Sequence, residues 1–110
     1  MDLGLKDKVA LVTGAGSQLG FGKATAVTLA REGCNLIVAD LYLEGAEKTA
    51  GGVRAFGRKA MPVKMDIADK ADVSAVVKAA LAEFGRIDIL VNNAGIAGRG
   101  GFFATSTEES

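Results

Sequence analysis

An apolar run at Val9-Ala10-Leu11-Val12 leads into Thr13-Gly14-Ala15-Gly16-Ser17-Gln18-Leu19-Gly20-Phe21-Gly22, and Asp40 closes the next apolar run. A glycine-rich turn between a strand and a helix suits a dinucleotide pyrophosphate. The phosphates must come close to the backbone, where a side chain would block them. The helix start then offers free N–H groups and the positive end of its dipole. Gly14 and Gly16 match the G-x-G-x-x-G pattern, but Leu19 holds the place of the third glycine. On its own such a turn is also compatible with a tightly packed connection. Asp40 lies 26 residues after Gly14 and 18 after Gly22. An acid at that point accepts hydrogen bonds from the adenosine ribose hydroxyls and repels a 2′-phosphate. Leu41 follows it rather than an arginine that would welcome such a phosphate, and Ser17 and Gln18 are uncharged. The expected cofactor is NAD rather than NADP. The alternative, a solvated acid at a strand end, fits the strand–turn–helix–strand context less well.

Composition narrows the remaining chemistry. The chain has 110 residues, the size of one domain. Lys plus Arg is 13 and Asp plus Glu is 13, so the formal charge is zero and no basic field recruits nucleic acid or anionic lipid. The hydrophobic fraction of 49% beside 24% charged residues reads as globular. The count of His is 0, which removes a His general base, a Ser–His–Asp triad and any His metal site from these residues. Cys34 stands alone, so neither an internal disulfide nor a Cys-rich zinc cluster is available, and no metal is expected. MDLGLKDK holds no apolar stretch of signal length, and no apolar run approaches a membrane span. The expected compartment is the cytoplasm.

The elements that position these residues follow from four short apolar runs. They are Val9–Val12, Leu36–Ala39, a mixed run from Met61 to Met65, and Ile87–Val91. Apolar runs without alternation suit strands buried on both faces, and their recurrence with helical patterns between them gives a βαβαβαβ rhythm. Helices are expected over about 22–32, 44–56 and 70–84. In the third, Val73, Val76, Val77, Ala80, Leu81 and Phe84 form one stripe of 3.6-residue period. Asp69 is its expected N-cap and Gly85 its C′ residue. In the first, small Ala24, Ala26 and Ala30 allow close approach to the sheet. Gly45, Gly51 and Gly52 weaken the second, each by about 1 kcal/mol relative to Ala. Pro62 removes a ladder donor from the third strand and assigns it to a sheet edge. A doubly wound α/β parallel sheet of order 3-2-1-4 places that strand there. Gly98 to Ser110 reads as loop.

These residues resemble the short-chain dehydrogenase/reductase family, classical type. The likeness rests on Lys8-to-Gly14 (KVALVTG), the glycines through Gly22, Asp66-Ile67 after the third strand, and Asn92-Asn93-Ala94-Gly95 after the fourth. It covers about Leu5 to Gly95 and implies a Rossmann-type fold. By that resemblance Gly14, Gly20 and Gly22 line the pyrophosphate turn and Asp40 holds the adenine ribose, with Leu41 beside it. Asp66 meets the adenine amino group, flanked by the Ile67 backbone. Asn93 bridges neighbouring strands through its amide. Ala94 and Gly95 bring backbone near the cofactor, and Ile96 lies toward the nicotinamide ribose. Thr13 is expected to tie the turn to the NNAG segment. The family turn is TG-x3-G-x-G. Here five residues separate Gly14 from Gly20, which leaves open whether Ser17 or Gln18 contributes a contact.

The family also uses a Ser and a Tyr-x-x-x-Lys pair, and neither is recognisable here. Tyr42 is followed four residues later by Ala46, and Ser106 and Ser110 lie in the terminal stretch. No catalytic residue is therefore assigned. Residues 1–110 are expected to be the NAD-binding half of a longer single-domain enzyme, because the fourth strand would otherwise be an exposed apolar edge. The resemblance implies hydride transfer between nicotinamide and a small alcohol or ketone, in a homo-oligomer, tetramer or dimer. A dinucleotide-binding fragment, or a non-catalytic relative acting as sensor or scaffold, is the alternative.

Overall fold

The computed structural model describes residues 4–16, 21–93 and 103–106. In chain order these form β1 (Val9–Thr13), α1 (Phe21–Arg31), β2 (Asn35–Asp40), α2 (Leu43–Arg54), β3 (Ala60–Lys64), α3 (Lys70–Phe84), β4 (Ile89–Asn92) and β5 (Phe103–Ser106). The strands make one sheet of order β3-β2-β1-β4-β5. The first four are parallel, with Leu11 opposite Ile37 on one side and Leu90 on the other. β3 is the edge that Pro62 requires, and Pro62 pairs with Val38.

Alternation along the central strands separates two cores. Ala10, Val12, Leu36 and Val38 face Ala26 and Ala30 of α1 and Ala50 and Val53 of α2. Val9, Leu11, Ile37 and Ala39 face Val76 and Ala80 of α3. The sheet is thus covered on both faces, as parallel sheets are. Within the expected stripes, Ala24 of α1 is exposed and Leu81 of α3 is 44% exposed; both lie at the margins of their buried faces. α3 has the expected ends. The Asp69 side chain accepts from the Ala71 and Asp72 N–H groups, and Gly85 takes the left-handed conformation, φ 77°.

The terminal stretch differs from the expected loop. Residues 103–106 form β5, antiparallel to β4, with Asn92 opposite Phe103 and Ile89 opposite Ser106. β4 is therefore not the open edge the pattern implied. The chain folds back and supplies partners for its outer N–H and C=O groups.

Asp88 ties the opposite end of the sheet together. Its Oδ2 accepts from the Val9 N–H at 2.8 Å, and its own N–H donates to the Val9 carbonyl at 2.8 Å. Arg86 donates to Oδ1 through Nε and Nη2. Burial pushes the Asp88 carboxyl up, but the hydrogen bonds from Arg86 and Val9 outweigh it and hold it below the usual carboxylate range. A carboxyl lowered on folding stabilises fully above its unfolded value, about pH 4, and loses that contribution as pH falls through its folded value. Asp88→Asn should cost about 1 kcal/mol at neutral pH. In urea denaturation the gap from wild type should narrow below about pH 4. A gap that stays constant into strong acid would contradict the assignment.

Candidate functional site

At the carboxyl end of β1 the chain turns through Gly14, whose φ of 65° is in the left-handed region. Gly22, in the first turn of α1, rests directly on it. A Cβ on Gly22 would overlap the Gly14 carbonyl oxygen and come within 2.8 Å of the Ala15 Cα. Ala15 continues the pairing with β2 through its N–H, 3.0 Å from the Ala39 carbonyl. The Gly16 N–H donates to Asp40 Oδ2 at 2.9 Å. The Tyr42 N–H donates to Asp40 Oδ1 at 2.9 Å. Asp40 therefore joins the glycine turn to the approach to α2. A carboxylate has about four acceptor sites, so these two bonds leave capacity for sugar hydroxyls.

Asp40 lines a cleft of about 170 Å³ at the carboxyl ends of β1, β2 and β3. Thr13 and Gly14 form one side, Asp40 and Leu41 the next, and Asp66 and Ile67 the third. Leu41 is 47% exposed and Ile67 42%, so two apolar side chains flank the opening. Asp66 is exposed; its N–H donates to Asp72 Oδ2 at 2.6 Å and its Oδ1 accepts from the Ala68 N–H at 2.9 Å. The α3 start thereby fixes the direction of the loop that carries Asp66 and Ile67. Crevices at this end of a parallel sheet are where ligands bind in open α/β folds.

Thr13 joins the turn to the fourth strand, as expected. Its hydroxyl donates to Asn92 Oδ1 at 2.7 Å and accepts from the Asn93 N–H at 3.1 Å. The Val91 carbonyl lies farther off, 3.5 Å from the same oxygen. A hydroxyl has one proton, so the shorter bond claims it. The side-chain bridge expected from Asn93 falls instead to Asn92, because Thr13 faces Asn92 in register. Asn93 contributes its backbone. Its side-chain amide is buried, and neither Oδ1 nor Nδ2 has a hydrogen-bond partner among the described residues. Ser17, Gln18, Gly20, Ala94, Gly95 and Ile96 lie outside the described residues.

Two residues of α2 reach the turn without having been singled out for it. Thr49 donates its hydroxyl to the Ala15 carbonyl at 2.7 Å, and Gly45 lies against Gly16. In the sequence Gly45 reads only as a helix-weakening residue. Tyr42 is 72% exposed and takes part through its backbone. Cys34 is fully buried, and burial pushes its thiol up, away from the reactive thiolate. Among the described residues no group of three or more His, Cys, Asp or Glu side chains is placed to hold a metal ion, and no helix is long and apolar enough to cross a membrane.

Residues 8–110 match the sequence profile of the family described as short chain dehydrogenase. The chain is 44% identical over 103 residues to cyclohexanol dehydrogenase of Acinetobacter sp. (strain SE19), covering 94% of this chain and 39% of that protein. Among solved structures it is similar to a hydroxysteroid dehydrogenase from Escherichia coli, with TM-score 0.78 and 36% identity over 83% of this chain and 38% of that one. It is also similar to a 3-ketoacyl-(acyl-carrier-protein) reductase from Brucella melitensis complexed with NADH. There the TM-score is 0.70 and identity 45%, over 78% of this chain and 34% of that one. The chain thus spans well under half the length of these proteins.

The Thr13 bonds connect residues some 80 apart in sequence. Thr13→Val keeps the shape, removes both bonds, and strands a buried amide. It should cost about 1–3 kcal/mol in chemical denaturation. Thr13→Ser should retain most of that. Equal stability of the Val variant and wild type would show that the β1–β4 tie is carried elsewhere.

Proposed function

The chain belongs to the short-chain dehydrogenase family, and we propose that it is the cofactor-binding half of an NAD(H)-dependent oxidoreductase acting on a small alcohol or ketone. The supporting observation is the Asp40 carboxylate. It is held at the cleft by two backbone N–H groups and retains acceptor capacity, and among the described residues that line the cleft there is no Lys or Arg to receive a 2′-phosphate. The character of the cleft supports a role in holding the adenosine part of a dinucleotide. It is open at the carboxyl end of the sheet, with one acid for sugar hydroxyls, a second for an amino group and two apolar flanks.

In this reading NAD supplies the nicotinamide carbon that accepts or gives hydride. Asp40 binds the adenosine ribose hydroxyls and disfavours a phosphate there through its charge. Asp66 accepts from the adenine amino group, and Leu41 and Ile67 cover the ring. Gly14 and the start of α1 bring backbone to the pyrophosphate, with Ser17, Gln18 and Gly20 completing the turn. Asn93, Ala94 and Gly95 carry the backbone past the nicotinamide side. We assign the proton transfer to a Ser and a Tyr-x-x-x-Lys in the remainder of a longer parent protein, as the family resemblance implies. A cytoplasmic homo-oligomer belongs to the same reading.

Titration of the intact protein with NADH and NADPH tests it. Wild type should prefer NADH. Asp40→Asn preserves the size of the side chain and removes its charge, so the preference should fall about tenfold, roughly 1.4 kcal/mol. Asp40→Ala should also weaken NADH itself. A preference for NADPH in wild type, or an unchanged preference in both variants, would contradict the role of Asp40.

A further inference from the structure

The contact between α2 and the glycine turn goes beyond cofactor recognition by Asp40. A Cβ on Gly45 would overlap the Gly16 carbonyl oxygen. The contact is reciprocal: a Cβ on Gly16 would come 2.9 Å from the Gly45 carbonyl carbon and 2.9 Å from the Ala46 nitrogen. All of these are backbone atoms and cannot turn aside as a flexible side chain could. One helical turn after Gly45, the fully buried Thr49 donates its hydroxyl to the Ala15 carbonyl at 2.7 Å. Gly51 of the same helix is exposed, and a Cβ there would meet nothing within 4 Å. Glycine at 45 therefore has a steric reason that glycine at 51 lacks.

We propose that Gly45 and Thr49 are positioning residues for the phosphate-binding turn, α2 forming the seat that fixes where the Ala15 and Gly16 peptides lie. Three bonds hold these peptides from the β2–α2 side: Ala15 N–H to Ala39, Ala15 carbonyl to Thr49, and Gly16 N–H to Asp40. α1 limits the turn from the other side, through the packing of Gly22 on Gly14. The direction in which the turn presents its backbone is thus set jointly by α2 and β2. A ligand bound through phosphates feels that direction, whereas one bound only through adenosine feels mainly Asp40, Asp66 and the flanking side chains. The proposal rests on the reading that this turn carries the dinucleotide phosphates.

The test uses the intact protein with Thr49→Val, Thr49→Ser, Gly45→Ala and Gly51→Ala. NADH and adenosine are the probes, and amide hydrogen exchange over residues 14–16 is the ligand-free readout. Thr49→Val should weaken NADH about five- to tenfold, the scale of one lost buried hydrogen bond, and leave adenosine within about twofold. It should also speed exchange at Ala15 and Gly16. Thr49→Ser should restore both. Gly45→Ala should act like Thr49→Val, although Gly→Ala inside a helix ordinarily raises Tm; Gly51→Ala should raise Tm and change nothing else. Wild-type exchange at residues 14–16 in both Thr49→Val and Gly45→Ala would overturn the proposal. So would equal loss of NADH and adenosine accompanied by a lowered Tm. If wild type failed to bind NADH, the proposed function would fall, while exchange in the variants would still decide whether α2 seats the turn.

Discussion

The carboxyl end of β1 is where backbone from four elements must come within contact of one turn. Gly22 of α1 rests on the Gly14 carbonyl, Gly45 of α2 lies against Gly16, Ala15 extends the pairing with β2, and Thr13 holds the end of β4. Glycine backbones make the two helix contacts possible, because a Cβ at either helix position would collide with a carbonyl oxygen. The contacts with β2 and β4 are hydrogen bonds that satisfy buried polar groups without water. The same convergence borders the cleft that Thr13, Gly14 and Asp40 line. The packing of the fold and the candidate site therefore share one constraint.

The rest of the molecule supports that point. Two apolar layers press α1 and α2 on one face of the sheet and α3 on the other. They hold β1 between β2 and β4, so Gly14 and Asp40 emerge side by side at one end. Asp88 anchors the other end of β1 through Val9. Asp69 and Asp72 fix the start of α3, and Asp72 holds the amide of Asp66, so the loop carrying Asp66 and Ile67 faces the cleft. Each of these carboxylates thus accepts backbone N–H groups that fix its position.

Features written in local sequence were legible. The apolar runs placed β1 to β4, Pro62 placed β3 at the edge, and Asp69 and Gly85 marked the ends of α3. The position of Asp40 beside the glycine turn was legible because a strand and a turn precede it at a readable spacing. The strand at 103–106 was not. It follows a Gly-rich stretch, its sequence Phe103-Ala104-Thr105-Ser106 is no sustained apolar run, and its pairing with β4 is set by the edge it meets. The contacts of Gly45 and Thr49 were also hidden. They are with residues 15 and 16, distant in sequence, and a glycine in a helix reads locally only as a cost. Asn93 shows the same limit: the motif located it near the site, but the register of β1 with β4 gave the side-chain bond to Asn92.

We propose that the acid at the end of β2 holds the adenosine ribose while the glycine turn carries the phosphates. A crystal structure of the intact protein with NAD⁺ tests it most directly, through the distance from the Asp40 carboxylate to the adenosine ribose hydroxyls. Hydrogen-bond distances of about 2.6–3.0 Å, with the bonds to Gly16 and Tyr42 kept or exchanged for the sugar, are the predicted result. A dinucleotide bound away from this cleft, or with its adenosine ribose turned from Asp40, would rule out this role for Asp40.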